Sequence, residues 1–207
     1  MFSGIVSALG LVVTPPTGRL GSLVVSHPRG WGGLERGASV AINGCCLTAV
    51  AVHPERVAVE AMPQTLRLTN LSRLREGAQV NLEAALRLGD PVGGHLLSGH
   101  VDATGTVLEV RPEGGAVRLR LAVPPAVARY CVPQGSLAVD GCSLTLTEVA
   151  DLGSGGAEVE VSLIPHTLAQ TVAGGYRVGT EVNLEADQLA KLLERLAGSR
   201  IRRVGEP

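Results

Sequence analysis

The feature that most constrains this chain is a stretch of eight residues that occurs twice. The first copy, Ala41 to Thr48, reads Ala-Ile-Asn-Gly-Cys-Cys-Leu-Thr, and the second, Ala138 to Thr145, reads Ala-Val-Asp-Gly-Cys-Ser-Leu-Thr. Asn-Gly and Asp-Gly between apolar strands are strong hairpin signals, because both residues of the tight turn need a positive φ. The pattern therefore predicts two equivalent β-hairpins, each carrying a thiol or hydroxyl and a threonine on its second strand.

Two further motifs repeat in the same order around the hairpins. Ser-Gly-Ile-Val at residues 3–6 is echoed by Ser-Gly-His-Val at 98–101, and Val-Asn-Leu-Glu-Ala occurs at both 80–84 and 182–186. Halves of this length can fold as separate domains and are too long for solenoid repeats. We therefore predict two similar domains, residues 1–90 and 91–186, and a C-terminal segment, residues 187–207.

Short strands punctuated by glycine and proline predict an all-β fold. Each half offers about six such strands, and the 27 glycines fit a turn-rich protein. Closing six strands into a Greek-key barrel would remove the exposed edges. The prediction is thus two six-stranded Greek-key β-barrels in tandem. Locally we expect a strand over residues 1–13, a turn at Thr14–Gly18, and strand exits at Met62–Leu66 and Ile164–Leu168.

The last twenty residues change to a helical period. Leu189, Leu192, Leu193 and Leu196 form an apolar stripe from Asp187 onwards, with charged residues on the opposite side. Asp187 is placed to cap such a helix, which we expect to extend to Arg203. The helix would either pack on its own barrels or associate with copies of itself, and the pattern alone leaves both possibilities open.

Composition excludes several classes of function. The 18 basic residues balance 19 acidic ones, so no basic patch indicates a nucleic-acid partner. The four cysteines form no Cys-x-x-Cys pair, which argues against zinc ribbons and thioredoxin-like sites. No apolar run approaches the roughly 20 residues of a membrane helix. We therefore predict a cytoplasmic protein with reduced thiols and no membrane contact.

The matching small polar residues of the two hairpins are the first candidates for chemistry. Cys46 matches Ser143, and Thr48 matches Thr145. They are placed to line two related ligand pockets, but side chains of this kind also bond to their own backbone near turns, and that alternative stays open. Their repetition in both halves makes the two interpretations about equally strong.

Two histidines lie close together in Gly-Gly-His-Leu-Leu-Ser-Gly-His-Val, at His95 and His100. A metal site would need a third ligand, and no Asp, Glu or Cys stands at useful local spacing, so we predict no metal. His100 replaces Ile5 of the first half, which gives the second half a titratable group that the first lacks. A neutral imidazole near pH 7 is suited to act as a general base.

Taken together, these motifs resemble riboflavin synthase of the α-chain type. The similarity rests on Met-Phe-x-Gly-Ile-Val at the start, Asn-Gly-Cys-Cys-Leu-Thr, Gly-Gly-His-Leu-x-Ser-Gly-His-Val, Asp-Gly-x-Ser-Leu-Thr, Ile-Pro-x-Thr-Leu and Val-Asn-Leu-Glu-x-Asp, in the order of the family, up to about residue 196. Each motif alone is weak, but jointly they are highly specific.

The resemblance implies a homotrimer in which two molecules of 6,7-dimethyl-8-ribityllumazine react with each other. One molecule gives up a four-carbon unit and the other receives it, which yields riboflavin and 5-amino-6-ribitylaminouracil. It also implies that no metal or redox cofactor takes part, that each barrel binds one lumazine, and that the active site forms between the N-terminal barrel of one subunit and the C-terminal barrel of the next. An association with lumazine synthase is a further possible partnership.

Carried over residue by residue, the resemblance implies two sets of substrate-binding residues. The N-terminal site would comprise Gly4, Ile5, Val6, Ser39, Cys46, Leu47 and Thr48, closed by Ala61, Met62, Pro63, Gln64, Thr65 and Leu66. The C-terminal site would comprise Gly99, His100, Val101, Gln134, Ser143, Leu144 and Thr145, closed by Ser162, Leu163, Ile164, Pro165, His166 and Thr167. Phe2 is expected to pack over the N-terminal site from the subunit interface.

Roles follow from the chemistry that the family requires. A methyl group of one lumazine must lose a proton, so we expect His100, with Thr145 and Ser143, to handle proton transfer. Cys46 is expected to act as a nucleophile or to position one, and Asp187 to support the interfacial site. Where the family commonly has Lys, this chain has Gln134, which predicts altered affinity and not lost function.

Three rival functions remain at this stage. A lumazine-binding fluorescent protein would share the fold without catalysis, but both hairpins here keep their threonine and His100 is present. A flavin-dependent reductase would need a nucleotide-binding α/β half, which the sequence lacks. A purely structural trimer would use the hairpins only for packing.

Overall fold

The computed structural model describes residues 1–18, 20–153 and 155–204, with side chains described as far as Ala197. Strands dominate these ranges, and two sets of six alternate with a few short helices. The first set is β1 (Ala8–Thr17), β2 (Ser22–Ser26), β3 (Ser39–Ile42), β4 (Cys45–His53), β5 (Arg56–Glu60) and β6 (Gln79–Ala84). The second set is β7 (Ala103–Glu113), β8 (Ala116–Val123), β9 (Ser136–Val139), β10 (Cys142–Asp151), β11 (Ala157–Leu163) and β12 (Glu181–Ala186).

Each set closes into an antiparallel barrel. The strand order around the first barrel is β1-β2-β5-β4-β3-β6, and the second has the same order with its own strands. Because β2 neighbours β5 and not β3, the connection between β2 and β3 crosses one end of the barrel, as in a Greek key. The predicted pair of six-stranded barrels is therefore confirmed.

Alternation along the strands fills each barrel with aliphatic side chains. Val57 and Val59 of β5, for example, are fully buried in the first core, as are Val159 and Val161 at the matching places in the second. Such period-two burial is what a strand with one core face requires. Aromatic residues contribute little to these cores, in keeping with their 2% share of the sequence.

The start of the chain differs from the prediction. The first barrel strand begins at Ala8 and not at residue 1, and it continues through the expected turn to Thr17. Its pairing with β2 shifts register on both sides of Thr14, so the two prolines that follow lie in an irregular stretch of strand where no ladder hydrogen bond is needed. The chain reverses instead after Thr17, which pairs with Ser22.

Four α-helices complete the described fold: α1 (Pro63–Leu68), α2 (Pro125–Ala128), α3 (Pro165–Gln170) and α4 (Gln188–Val204). The segments expected to be simple strand exits are thus α1 and α3. Pro63 and Pro165 stand at the first helical position, where the missing N–H costs nothing and the fixed φ suits a helix. Short 3-10 helices lie at Trp31–Gly33, Asn70–Arg73 and Val172–Gly175.

The C-terminal helix α4 presents its leucines to the outside of the chain. Leu189, Leu192, Leu193 and Leu196 are 51–66% exposed, whereas Lys191 and Glu194 on the opposite face bond to the second barrel. Asp187 accepts a hydrogen bond from the Leu189 N–H at 2.8 Å, which confirms it as the helix cap. Residues 205–207 of the predicted C-terminal segment lie outside the described residues. No described helix is long and apolar enough to cross a membrane.

Candidate functional site

The two predicted hairpins meet tip to tip between the barrels. Asn43 and Gly44 have φ values of 46° and 76°, and Asp140 and Gly141 have 45° and 76°, which confirms the tight turns. A Cβ atom on Gly44 would lie 2.6 Å from the backbone nitrogen of Gly141, so only glycine permits this approach. The two sites are therefore held on either side of one shared contact.

Each hairpin has a core face and an outer face. In the first, Cys45 and Leu47 are buried in the barrel core, whereas Cys46 is half-buried and Thr48 is exposed. Ser39 pairs with Thr48 across the two strands, so Ser39, Cys46 and Thr48 lie on the same outer face. This small polar surface is the candidate site of the first barrel.

The second hairpin repeats the surface with one residue that the prediction missed. Ser143 is half-buried, Thr145 is exposed, and Thr145 pairs with Ser136. Ser136 thus occupies the place of Ser39, and the constant offset that relates the two hairpins in the sequence was a sufficient signal to find it. Leu144, like Leu47, packs toward its own barrel core.

The segments that close these surfaces are exchanged between the halves. We call residues 3–6 and 98–101 the closing segments. The carbonyl of Gly4 accepts a hydrogen bond of 2.8 Å from the Ser143 N–H, and the carbonyl of Gly99 accepts one of 2.8 Å from the Cys46 N–H. Val101 packs against the first barrel core as well. The expected grouping of Gly4 with Cys46 and of Gly99 with Ser143 is therefore wrong.

Each closing segment is clamped by a buried carboxylate of its own half. Glu83 accepts hydrogen bonds from the N–H and hydroxyl of Ser3 and from the N–H of Gly4 at 2.6–3.1 Å. Glu185 makes the same three bonds with Ser98 and Gly99. Burial raises the pKa of the Glu83 carboxyl, and its bonds to Ser3 and Gly4 oppose that rise. This clamp explains why Val-Asn-Leu-Glu-Ala and Ser-Gly recur together.

Phe2 lies between the two barrels of one chain, whereas the resemblance predicts that it packs over the first site from a subunit interface. It is 1% exposed, exchanges two backbone hydrogen bonds of 2.8 and 3.0 Å with Leu97, and packs in a small apolar cluster with Ala41 and Ala138. A Cβ atom on Gly99 would lie 2.9 Å from its ring. Phe2 therefore packs against the closing segments from its buried position between the barrels.

His95, and not His100, is the imidazole that contacts Ser143. The Nδ1 atom of His95 lies 2.6 Å from the Ser143 hydroxyl oxygen. Burial lowers the pKa of His95, and the negative charge of Asp187 opposes part of that lowering. His100 is exposed and belongs to the closing segment beside Cys46. The predicted partnership of His100 with Ser143 and Thr145 is thus not the one that the structure shows.

Only one of the two hairpin thiols of the first barrel is placed for chemistry. Burial raises the pKa of the Cys45 thiol to about 12 and that of Cys142 to about 11, so neither supplies a thiolate at neutral pH. Cys46 points to the outer face, where it is half-buried beneath Gly99.

The residues expected to close the sites fall into two groups. Ala61 and Leu163 are buried in the barrel cores, so their side chains do not line an outer surface, contrary to expectation. The others lie at or near α1 and α3 and are exposed or half-buried, namely Met62, Pro63, Gln64, Thr65, Leu66, Ser162, Ile164, Pro165, His166 and Thr167. Met62 and Ile164 are 60% and 58% exposed at matching positions and present apolar surface at the starts of α1 and α3.

Gln134 is exposed and stands two residues before Ser136. Its φ of 65° is a left-handed conformation, and its N–H donates to the carbonyl of Leu146. Gly37 has the same place in the first half, with φ 90° and the matching bond to Ala49. Gln134 thus precedes the strand that carries Ser136, as Gly37 precedes the strand that carries Ser39.

Buried amides and one carboxylate join the barrels beneath the hairpin tips. Asn81 donates to the carbonyl of Asp140 at 2.9 Å, and Asn183 donates to the carbonyl of Asn43 at 2.8 Å. Asp140 also accepts from the hydroxyl of Tyr176 at 2.7 Å. Burial raises the pKa of Asp140 to about 6, although hydrogen bonds from Tyr176, Asn183 and Asn70 oppose the rise. This network fixes the relative placement of the two candidate sites.

Comparison with known proteins identifies the family. Residues 3–85 and 98–187 each match the model of the lumazine binding domain. A riboflavin synthase of Mycobacterium tuberculosis is 44% identical over 206 residues, which covers 96% of this chain and 99% of that protein. The chain belongs to the riboflavin synthase family. A Bacillus subtilis riboflavin synthase is 34% identical over 196 residues, or 94% of this chain and 89% of that one.

Solved structures show the same fold as this riboflavin synthase family member. A crystal structure of LumP complexed with 6,7-dimethyl-8-(1'-D-ribityl) lumazine superposes with a TM-score of 0.79 at 22% identity and covers 90% of this chain and 99% of that one. A complex of LumP with riboflavin gives a TM-score of 0.80. Both matches to the lumazine binding domain begin at a closing segment, at residues 3 and 98.

Proposed function

We propose that this chain is a riboflavin synthase that converts two molecules of 6,7-dimethyl-8-ribityllumazine into riboflavin and 5-amino-6-ribitylaminouracil. The observation that carries the proposal is the pair of equivalent outer surfaces, Ser39-Cys46-Thr48 and Ser136-Ser143-Thr145, held in one rigid relation. A reaction between two identical molecules needs two similar sites with different chemistry. The repeat supplies the similarity, and the residues that differ supply the chemistry.

The hydroxyls and backbone groups of each surface would orient one lumazine. Holding two reactants in a defined geometry can remove roughly 7–11 kcal/mol from a bimolecular barrier, so placement is the main contribution of the protein. The four-carbon unit leaves one lumazine and joins the other, so atoms balance without an oxidant or reductant. We propose no metal or redox cofactor for the same reason.

The two surfaces would then divide the acid–base work. The neutral His95 and the hydroxyl of Ser143 form a proton-handling pair at the second surface. Cys46, with His100 on the nearby closing segment, provides a different set of polar groups at the first. We propose Cys46 as a nucleophile or the residue that positions one, and Asp187 as the charge that stabilises a protonated His95.

The active assembly is proposed to be a cytoplasmic homotrimer, alone or associated with lumazine synthase. Residues 1–90 and 91–186 are the two lumazine-binding domains, and residues 187–207 provide the contacts between subunits. The outward leucines of α4 and the exposed Met62 and Ile164 support assembly, because these apolar side chains would be buried against a neighbouring copy. A site between the first barrel of one subunit and the second barrel of the next would bring two lumazines together.

One assay tests the activity. Purified protein is mixed with 6,7-dimethyl-8-ribityllumazine without any added cofactor. For every two lumazine molecules consumed, we expect one riboflavin, detected by its absorbance, and one molecule of the pyrimidine product. A protein that binds the lumazine tightly and yields no riboflavin would be a lumazine-binding protein without catalysis, and would refute the proposal.

Cys46→Ser is expected to slow turnover with little change in stability, and a wild-type rate in that variant would exclude the nucleophilic role.

A further inference from the structure

The chain contains a single lysine, and it connects the C-terminal helix to the residue that follows a closing segment. Lys191 lies at the end of the first turn of α4, and its Nζ atom is 2.6 and 2.8 Å from the two carboxylate oxygens of Asp102. The side chains are 20% and 24% exposed, so the pair is partly shielded from water. An ion pair in such a setting is stronger than one on the open surface.

Asp102 is itself fixed at the end of the second barrel. Its N–H donates to the carbonyl of Leu184 at 2.9 Å, and its carboxylate accepts from the N–H of Ala186 at 2.9 Å. The same carboxylate therefore joins β12, the first turn of α4 and the residue that follows the closing segment. Movement of the helix relative to the barrel would act on Asp102 directly.

Two anchors hold the closing segment of residues 98–101. At one end Glu185 clamps Ser98 and Gly99, and at the other Asp102 is held by Lys191. His100 and Val101 lie between the anchors, beside the first candidate surface, where the Gly99 carbonyl bonds to Cys46. The placement of these two residues thus depends on both anchors.

The first half has no such connection among its described residues. Ser7 follows its closing segment at the place of Asp102, and its hydroxyl bonds to the carbonyl of Leu82 and accepts from the indole of Trp31. Lys191 therefore acts on the closing segment of the first surface, whereas the helix cap Asp187 acts through its charge on His95 beside the second. This asymmetry gives the two surfaces different responses to a change at Lys191.

We propose that Lys191 is a positioning residue for the first lumazine site, acting through Asp102 on His100 and Val101. The proposal rests on the proposed function, because it assigns the pair to one of the two lumazine sites. It also connects α4, the helix whose leucines face outward, with the geometry of a site on the opposite barrel.

The test is a binding titration of the full-length protein with 6,7-dimethyl-8-ribityllumazine, followed by stopped-flow ligand fluorescence within a time too short for turnover. Wild-type protein is expected to bind two molecules per chain. Lys191→Met should weaken one of the two binding steps by about fivefold and leave the other unchanged, since the pair is partly shielded. Lys191→Arg keeps the ion pair and should restore affinity to within about twofold.

Arg129→Met is the matched control. Arg129 pairs with Glu194 on the same face of α4, and Glu194 also accepts from the Tyr130 hydroxyl at 2.7 Å, but neither contact reaches a closing segment. This variant should keep both affinities. Asp102→Asn, which retains an acceptor for the Ala186 N–H, should reproduce the one-site loss of Lys191→Met.

The outcomes separate the inference from the function. Unchanged affinities in Lys191→Met, or equal losses at both sites, or the same loss in Arg129→Met, would overturn the positioning role. A loss in Lys191→Met that accompanies dissociation of the assembly, with Asp102→Asn unaffected, would also overturn it. Failure of the wild-type protein to bind lumazine or form riboflavin would instead refute the proposed function, before any variant is made.

Discussion

Single residues distinguish the two halves most clearly at the hairpin turns, where Asn43 of the first half corresponds to Asp140 of the second. Both side chains accept a 2.8 Å hydrogen bond from the N–H of an equivalent asparagine, Asn81 or Asn183. Only Asp140 brings an ionisable group into this buried position, and Tyr176 and Asn70 are the added donors that accommodate it. The carboxylate makes the junction between the barrels sensitive to pH.

Asp140→Asn is expected to remove a pH dependence of stability. The pKa of Asp140 is raised from 3.8 to about 6 in the folded protein. A raised folded-state pKa favours the protonated form, so this contribution to stability is complete below about pH 4 and is lost as the pH rises through 6. The free energy of unfolding of the variant, relative to wild type, should therefore increase by up to roughly 3 kcal/mol between about pH 4 and pH 7 in urea titrations.

The exposed Asp151 provides the control for that experiment. Asp151→Asn should follow the wild-type pH profile throughout. Parallel profiles for wild type and Asp140→Asn would show that Asp140 has a similar pKa in the folded and unfolded chains.

Gln134 carries a backbone conformation that its counterpart Gly37 adopts freely. A left-handed residue other than glycine costs about 1–2 kcal/mol of stability. Substitution by glycine relieves this strain, but glycine also increases the conformational entropy of the unfolded chain, which offsets part of the gain in stability. Gln134→Gly should therefore raise the free energy of unfolding by about 0.5–1 kcal/mol, measured by chemical denaturation. Gln134→Ala, which cannot relieve the strain, should give no increase.

At this scale the sequence predicts what depends on local geometry. Asx-Gly pairs need positive φ wherever they form a two-residue turn, and strand alternation alone places Cys45 inward and Cys46 outward. The contact between His95 and Ser143 spans 48 residues and depends on how His95 lies against the closing segment of residues 3–6, where its N–H donates to the Ser3 carbonyl, so neither spacing nor composition reveals it.

At the scale of elements, the prolines of α1 and α3 show how one residue type supports opposite predictions. Proline ends a strand because it cannot donate to the ladder, and it begins a helix because its φ is already helical. Which role applies depends on the residues that follow, and Gln-Thr-Leu and His-Thr-Leu carry only weak helical signals. The prediction of strand exits located these segments correctly and missed their form.

The helix α4 makes a clear prediction about assembly. Leu189→Ser combined with Leu193→Ser replaces two leucines that are 63% and 66% exposed in the single chain. If these residues are buried between copies, the double variant should lose at least part of the assembly, and light scattering should detect smaller species. The barrels should keep their thermal stability per chain, because the leucines make no contribution to either core.

Arg195→Ala is the matched control, since Arg195 is an exposed residue on the polar side of the same helix. It should leave the molar mass unchanged. An unaltered mass in the leucine variant as well would mean that α4 does not hold copies together. The helical period was evident in the sequence, but the direction of its apolar face was not, because that depends on the ion pairs of Lys191 and Glu194.

At the scale of the whole molecule, the barrels touch where two glycines meet. A Cβ atom at Gly44 would collide with backbone atoms of Gly141, which cannot move without separating the barrels. Gly44→Ala should therefore lower the free energy of unfolding by about 3 kcal/mol or more, as judged from urea denaturation midpoints. Lumazine affinity at both surfaces should fall with it.

Gly37→Ala isolates the conformational part of that effect. Gly37 has φ 90°, and a Cβ atom added there would meet no other atom within 4 Å, so its substitution adds strain without a collision. The free energy of unfolding of Gly37→Ala should be about 1–2 kcal/mol lower than that of the wild type. Equal losses at the two positions would mean that the tip-to-tip contact contributes nothing to stability.

The exchanged closing segments have a consequence for how the two sites came to differ. Two separate copies of one half, arranged as the two halves are here, would make these contacts between subunits, with each copy closing the surface of the other. The chain is thus built like a symmetric pair whose members are joined end to end. In a true pair every substitution would appear at both surfaces at once. Joining the copies removes that constraint, so that Cys46 and Ser143, or Ile5 and His100, occupy equivalent places while the frame that aligns them stays symmetric.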